Sequence, residues 1–338
     1  MTKLPSVSVV ILNWNGLNYL KQFLPSVCAS TYQNLRIIVG DNASTDGSID
    51  FIKDNFPQIE IISNDQNYGF AGGYNKVLDQ VDSDYFVLLN SDVAVNPEWI
   101  QPVIDLMETD SQIAAAQPKM LSYKQKDKFE HAGAAGGFLD MFGYPFCRGR
   151  IFDSVESDNG QYDDVKEIFW ASGAALFIKR DKWIELGGLD ADFFAHMEEI
   201  DLCWRIKNKG YKVMYCPDSV VYHVGGGTLN AENPFKTYLN FRNNLIMIQK
   251  NLPFLQASLI LFTRFWLDLV SLLKFIADGK TKDARAVSKA HVSFLRSIFK
   301  TAGKARKIDP SNFNNAGLLK KSIVWQYFVQ KKKRFTDL

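Results

Sequence analysis

Cysteine is scarce in this chain. Four residues in 338, Cys28, Cys147, Cys203 and Cys216, lie far apart and show no paired metal-ligand spacing, so the chain is expected to be reduced and cytoplasmic. No charged-then-apolar leader precedes Pro5. Arg264, Asp268 and Lys274 interrupt the longest apolar segment, so no stretch of about 18 uncharged residues is left to span a bilayer. There is no internal repeat and no low-complexity tract, and neither the dinucleotide fingerprint nor the Walker loop occurs. Net charge is nearly absent at +2.

That small total hides an asymmetry. Residues 280–338 hold fifteen Lys and Arg against three Asp, a net of +12, which leaves −10 for residues 1–279. A basic end on an acidic body points to an anionic surface as partner. With 46% hydrophobic and 22% charged residues, the chain has the composition of an ordinary globular protein and the length for a full core.

Strand-like and helix-like segments alternate. Val7–Leu12, Leu35–Gly40, Ile59–Ser63 and Tyr85–Leu89 are short apolar runs that end in polar residues, and Leu17–Ala29 and Ser48–Phe56 carry helical spacing. Asn96 and Pro97 predict the cap and first turn of a helix running to Thr109. This alternation predicts an α/β fold with a mainly parallel sheet flanked by helices. Ligands of such sheets sit at the C-terminal ends of the strands. Phe129–Asp164 reads as irregular loops and short strands over the site. Strands at Gly173–Ile178 and around Val213 and Val221, and a helix over His196–Lys209, complete the domain. Beyond Pro234 the chain reads as helical, with Phe254–Ile276 an interfacial rather than a spanning helix.

Four blocks carry chemistry. Asp41, at a strand end and followed by Asn42, Ser44, Asp46 and Gly47, is placed to accept hydrogen bonds from a base or ribose; turn formation and capping are the plainer use of the same residues. Asn67–Asn75 is glycine-rich and opens a helix, which suits phosphate, although a packing turn would look alike. Asn90, Ser91 and Asp92 end the next strand, and one carboxylate there suits a divalent ion otherwise held by phosphates. His223 could add an imidazole. In the helix around Glu199, residues Leu202, Cys203 and Ile206 form an apolar arc with Glu199 in its middle. Glu199 is therefore expected to point inward with a raised pKa, as a general base requires. Glu198 and Asp201 fall on another face and are expected to be solvated or paired, Asp201 with Arg205 at i,i+4.

The ordered set of these motifs, from about Val7 to Leu252, resembles the family 2 glycosyltransferases of the GT-A fold, particularly the bacterial rhamnosyltransferase-like branch. The resemblance implies a nucleotide-sugar glycosyltransferase domain over residues 1–252 and a helical, basic extension over 253–338. It implies that Leu12, Asn13, Trp14 and Asp41 hold the nucleoside and that Asn67, Gly72, Asn75, Asn90 and Ser91 line the donor pocket. Asp92 and His223 would bind a divalent ion, Mn2+ or Mg2+. Asn90 stands where the family's metal motif has its first Asp, and Glu198–Glu199 where it has a Glu-Asp pair. Glu199 becomes the base of an inverting single displacement, and Trp170, Ser172, Gly173 and Glu198 the acceptor side.

The same resemblance implies a glycan or lipid-linked acceptor, cell-surface polysaccharide synthesis and a peripheral position at the inner face of the cytoplasmic membrane, with homo-oligomerisation left open. Two other readings stand beside it. One is a glycosyltransferase-like protein that binds nucleotide or glycan, or scaffolds an assembly, without turnover. The other is a nucleotidyltransferase, which would need a basic glycine-rich loop after the first strand; Asn13–Leu17 contains no Lys or Arg. Nucleic-acid binding is disfavoured because the basic residues lie outside the expected site.

Overall fold

The first four strands form as the apolar runs dictate. In the computed structural model, which describes residues 4–225, 233–304 and 310–338, β1 (Val7–Asn13), α1 (Leu17–Cys28), β2 (Leu35–Asp41), α2 (Ser48–Asn55), β3 (Glu60–Ser63), α3 (Gly69–Leu78) and β4 (Tyr85–Leu89) alternate as expected. β1 pairs in parallel with β2 and β4, and β2 with β3. The register sets Asn13 beside Asp41 and Asp41 beside Ser63. The polar strand ends therefore share one edge of the sheet.

The second half of the sheet is mixed. After β5 (Val93–Val95), α4 (Gln101–Glu108) and β6 (Ile113–Ser122), the chain builds β7 (Gly137–Asp140), β8 (Pro145–Cys147), β9 (Arg150–Ile151) and β10 (Ser154–Val155) before returning through β11 (Lys166–Ile168) and β12 (Ala175–Lys179). Then follow α5 (Arg180–Leu186), α6 (Glu198–Asn208) and β13 (Lys212–His223). The large sheet runs β11-β13-β6-β12-β4-β1-β2-β3, with β5 on β13. β12 is antiparallel to both its neighbours, while β13 runs parallel to β6. Apolar clusters cover both faces.

Several expectations are corrected. Val213 and Val221 lie on one strand, β13, whose pairing with β6 shifts register between Cys216 and Val220. The helix expected from Pro97 starts at Gln101, because Asn96 and Pro97 begin a turn that drives Trp99 into the core, where its indole N–H reaches Ser30. The helix expected from His196 starts at Glu198, since His196 and Met197 have φ of 68° and 74°.

Beyond Pro234, α7 (Pro234–Asn251), α8 (Phe254–Ala277) and α9 (Thr281–Lys304) are helical. The last residues are only partly so, with a short helical turn over Trp325–Val329. β14 (Leu318–Leu319) pairs in parallel with β7 and completes a small sheet, β10-β9-β8-β7-β14. Phe129–Asp164 thus supplies the short strands expected of it, joined by a strand from the far end of the chain.

Candidate active site

The edge defined by β1, β2 and β4 is polar and tightly bonded. Asp41 is buried and accepts from Asn13 Nδ2 at 3.2 Å and from the Ser44 N–H at 3.0 Å. Asn13 also reaches Ser44 and Ser48 Oγ, and its Oδ1 accepts from the Gly16 N–H. Its amide is spent within the protein, so Asn13 positions Asp41 rather than offering a ligand contact of its own. Asp46 accepts from the Leu17 and Ser48 N–H groups and so tethers the starts of two helices. Trp14 is half exposed at the rim. Ser91 lies beside Gly16 at the end of β1, and the Leu12 side chain lies against Gly73.

The glycine-rich segment is put to a different use from the one expected. The N–H of Gly69 donates to Asn67 Oδ1, and those of Phe70 and Ala71 donate to the carbonyl of Phe194. The first amides of α3 are therefore occupied and do not form a phosphate cradle. Gly69 has φ of 71°, and a Cβ there would lie 2.5 Å from the Phe194 ring. Gly72 is buried against Tyr68 and Ala191. Asn75 donates to the Leu189 carbonyl at 2.7 Å and accepts from its N–H at 2.9 Å, which commits both ends of the amide. Gly72 and Asn75 seat the segment 189–194 on α3.

Asp92 and His223 come together. The pairing of β5 with β13 sets His223 opposite Val93, and His223 Nε2 lies 3.1 Å from Asp92 Oδ1 and 3.4 Å from Asn90 Nδ2. Sequence reasoning missed Glu130, whose Oε1 lies 3.4 Å from His223 Nδ1. No spacing in the sequence marks it. Burial disfavours the imidazolium, but the carboxylates of Asp92 and Glu130 outweigh this and raise the His223 pKa to about 10. This donor set fits a divalent cation: a carboxylate oxygen and an imidazole nitrogen meet in a pocket that already favours positive charge, with a second carboxylate fixing the ring. Among the described residues no three His, Cys, Asp or Glu side chains surround one point. Gly226 and Gly227, which follow His223, lie outside the described residues.

The second acidic group is on α6. Glu199 is partly buried with its carboxyl turned inward as expected, Asp201 makes the expected pair with Arg205, and a correction applies to the exposure of the neighbours: Glu198 and Asp201 are both fully buried. The first turn of α6 is enclosed on more sides than its own apolar arc shows. Asp201 is saturated by Arg205 Nε at 2.9 Å, Lys250 Nζ and Asn251 Nδ2. Glu198 and Glu199, by contrast, each keep a buried Oε2 with no hydrogen-bond partner among the described residues. Burial raises the pKa of both; the Glu199 charge raises that of Glu198 further, while N–H groups including that of Gly173 moderate Glu199.

The acidic pair and the histidine pair adjoin through a short peptide. The N–H of Gly173 faces the Glu199 carboxyl, and the Ala174 carbonyl accepts from the Asn90 N–H at 3.0 Å. A Cβ on Gly173 would lie 3.1 Å from the Phe70 ring, which would have to give by a few tenths of an ångström, and at an ordinary contact distance of 3.8 Å from Glu199 Cβ. Ser172 is buried, and its N–H donates to Gln117 Oε1. Trp170 is buried against Gly137 with its indole N–H on the Phe138 carbonyl, so its polar atom is committed to packing and not to an acceptor.

The segment leading to Glu198 is strained and clamped. Phe194, His196 and Met197 all have positive φ, a costly state for residues with side chains. Asn243 Nδ2 lies within hydrogen-bond distance of the carbonyls of Phe193, Ala195 and His196 at 3.0, 2.9 and 2.7 Å. Arg242 reaches those of Asp192 and Phe193. Asp190 is held by Lys250 and Lys304, each at 2.6 Å. The polar run Arg242-Asn243-Asn244 inside α7 is the signal that could have revealed this clamp.

Comparison with known proteins agrees with this architecture. Residues 8–156 match the family described as Glycosyl transferase family 2. The chain is 23% identical over 233 residues to N-acetylglucosaminyl-diphospho-decaprenol L-rhamnosyltransferase of Mycobacterium tuberculosis, covering 64% of this chain and 75% of the relative. Over residues 8–156 this chain is similar to the family 2 glycosyltransferases. A second relative, rhamnosyltransferase WbbL of Escherichia coli K12, is 23% identical over 220 residues, 62% of this chain and 80% of that one. Both of these relatives are named as rhamnosyltransferases. Among solved structures, mannosyltransferase PcManGT of Pyrobaculum calidifontis, in complex with GDP-Man and Mn2+, superposes with a TM-score of 0.55 at 14% identity, covering 87% of this chain and 88% of that one. GalNAc-T7 with UDP, GalNAc and Mn2+ gives 0.56 at 17% identity, over 74% and 48%. The shared fold is GT-A.

Proposed function

We propose that this protein moves a sugar from a nucleoside-diphosphate donor to a hydroxyl of a glycan or lipid-linked acceptor, with inversion, in the synthesis of a cell-surface polysaccharide. The observation that carries the reading is the adjacency of Glu199 to Asn90–Asp92 and His223 through Gly173 and Ala174. A base and a cation site on one short peptide are what a single displacement needs on opposite sides of an anomeric carbon. The names of the relatives support it, since one acts on a decaprenol-linked acceptor, and the solved neighbours were crystallised with nucleotides and Mn2+.

In this reading Asp41, held by Asn13 and Ser44, accepts from the nucleoside while Leu12 and the exposed Trp14 border it. Asn67, Asn90 and Ser91 border the donor. Glu199 takes the proton of the acceptor hydroxyl as that oxygen bonds to the anomeric carbon, and the bond from that carbon to the diphosphate oxygen breaks with its electron pair leaving on the diphosphate. A carboxylate with a raised pKa is a better proton acceptor near neutrality. Held by Asp92 and His223, a divalent ion, Mn2+ or Mg2+, would supply positive charge that offsets the charge of the departing diphosphate. Glu130 orients His223, and Glu198, Ser172 and Gly173 border the acceptor. A lipid-linked acceptor puts the enzyme at the inner face of the cytoplasmic membrane.

The test is a panel of nucleotide sugars offered to the purified protein with Mn2+ or Mg2+ and a lipid-linked acceptor. Release of nucleoside diphosphate from one donor, with the opposite anomeric configuration in the product, is expected. Tight donor binding without release from any member would shift the reading to a nucleotide- or glycan-binding scaffold.

A further inference from the structure

Two of the three charges that interrupt α8 in the sequence are turned inward in the fold. Arg264 and Asp268 are buried and paired at 3.3 Å. Arg264 also reaches the Phe142 carbonyl and Asn244 Oδ1 and stacks 3.7 Å from the Tyr144 ring centre, while Asp268 accepts from the Tyr144 hydroxyl and contacts His291 Nε2. The third charge, Lys274, pairs with Asp278 at the helix end.

What faces out is apolar along the whole helix. Leu255, Leu259, Phe262, Trp266, Val270 and Leu273, at spacings of three or four, are exposed by 54 to 73%. A 24-residue helix is about 36 Å long, and a stripe of that length is far more than a soluble surface carries by accident. α9 extends it. His291 touches Phe265 and Asp268 of α8, and Leu295 and Phe299 follow it within about 80° on the same side of α9; Phe299 is 89% exposed. Arg285, Lys289 and Arg296 are exposed on the outer face next to them. The tail brings Trp325 and Phe328, both exposed, and is anchored at the same place: Asp140 accepts from the Ile323 N–H and from the N–H groups of Phe142 and Tyr144, the loop that seats Arg264.

We infer that this face is the surface by which the protein docks on an anionic lipid bilayer, with α8 lying in the plane of the headgroups. Among the described residues no helix is long and apolar enough to cross a membrane, whereas a one-sided stripe with aromatic residues at its middle is the pattern of a helix at the interface. Charge selects the occupant. The face belongs to a region of net +12, so a second copy of this chain would bring like charges together, while anionic headgroups neutralise them. The inference deepens the reading of a membrane-face enzyme, and docking needs neither donor nor base.

The test is flotation of the full chain with vesicles of phosphatidylcholine plus phosphatidylglycerol and with vesicles of phosphatidylcholine alone. Recovery with the anionic vesicles, weakened by salt, is expected. Substituting L259S, F262S and W266S together, all exposed, should lower the bound fraction by roughly tenfold or more, and R285E with K289E and R296E should lower it as well. The serine variant should keep the wild-type melting temperature and its rate on a water-soluble acceptor. Equal flotation of the serine variant would overturn the inference, as would a wild-type chain that ignores vesicles and sediments as a dimer that the serine variant dissociates. A chain that floats but turns over no nucleotide sugar would sink the transfer reading and leave docking standing.

Discussion

Asn243 donates to the carbonyl of His196 at 2.7 Å, one residue before the left-handed Met197 that turns the chain into the helix carrying Glu199. A buried side chain on α7 thus caps carbonyls of that turn that face it. Asn243→Ala leaves carbonyls unpaired and releases three strained residues. It is expected to cost about 2–4 kcal/mol of stability and to lower kcat roughly 10- to 100-fold with donor affinity nearly unchanged, since the base loses its placement. Thermal melts and donor titration beside kinetics check the split.

Glu199 should be visible in the pH profile. Its raised pKa places the acid limb of the rate above the ordinary carboxylate range, because only the deprotonated form accepts a proton. Glu199→Gln should remove turnover by roughly 100-fold or more while donor binding persists. Glu198→Gln should leave that limb nearly where it is, because Glu198 holds its proton more tightly and is already neutral where Glu199 titrates.

The same pair has a stability signature. Glu198 binds its proton more tightly folded than unfolded, so the native state is favoured below the unfolded carboxyl pKa and loses that advantage as pH rises through the folded value. Glu198→Gln should therefore raise the melting temperature at neutral and alkaline pH and change little in acid. A uniform shift at all pH values would contradict this, since it would mean that packing rather than charge sets the penalty.

Glu130 faces the nitrogen of His223 that points away from Asp92. Glu130→Gln keeps the shape and removes the charge that orients the ring. Mn2+ affinity, followed by the spectrum of the free ion, should fall about 10- to 100-fold. Asp92→Asn should fall at least as far, and unchanged affinity in both would remove the cation site.

The strand ends were legible because each apolar run stops at a polar residue, and Asn13, Asp41 and Asn90 all reach the same sheet edge. Glu199 was legible from the arc of α6. Glu198 was not, because a helical wheel describes one helix and cannot see the clamped segment and Gly173 closing over its first turn. The glycines of α3 were ambiguous by nature: close approach serves phosphate or protein backbone equally, and here Phe194 occupies it. Asn243 and Glu130 act across long sequence separations with no local pattern. The inward direction of Arg264 and Asp268 was not legible, since a buried pair and a solvated pair look the same in a sequence.

That buried pair yields the last expectation. Asp268 is held well below the usual carboxylate range: burial opposes its charge, but Arg264, His291 and the Tyr144 hydroxyl outweigh it. Its contribution to stability is present above the unfolded pKa and is lost as pH falls through the folded one. Asp268→Asn leaves Arg264 buried without its partner and should cost about 3–5 kcal/mol near neutrality. The loss should shrink in acid, where the wild type forfeits the same charge. Replacing Arg264 and Asp268 together by Met and Leu should recover most of it, because an uncharged pair of similar volume has no desolvation cost to offset. If the double variant melted as low as Asp268→Asn alone, the two side chains would have to be acting separately, through Asn244 and His291, rather than as a pair that lets the apolar side of α8 face outward.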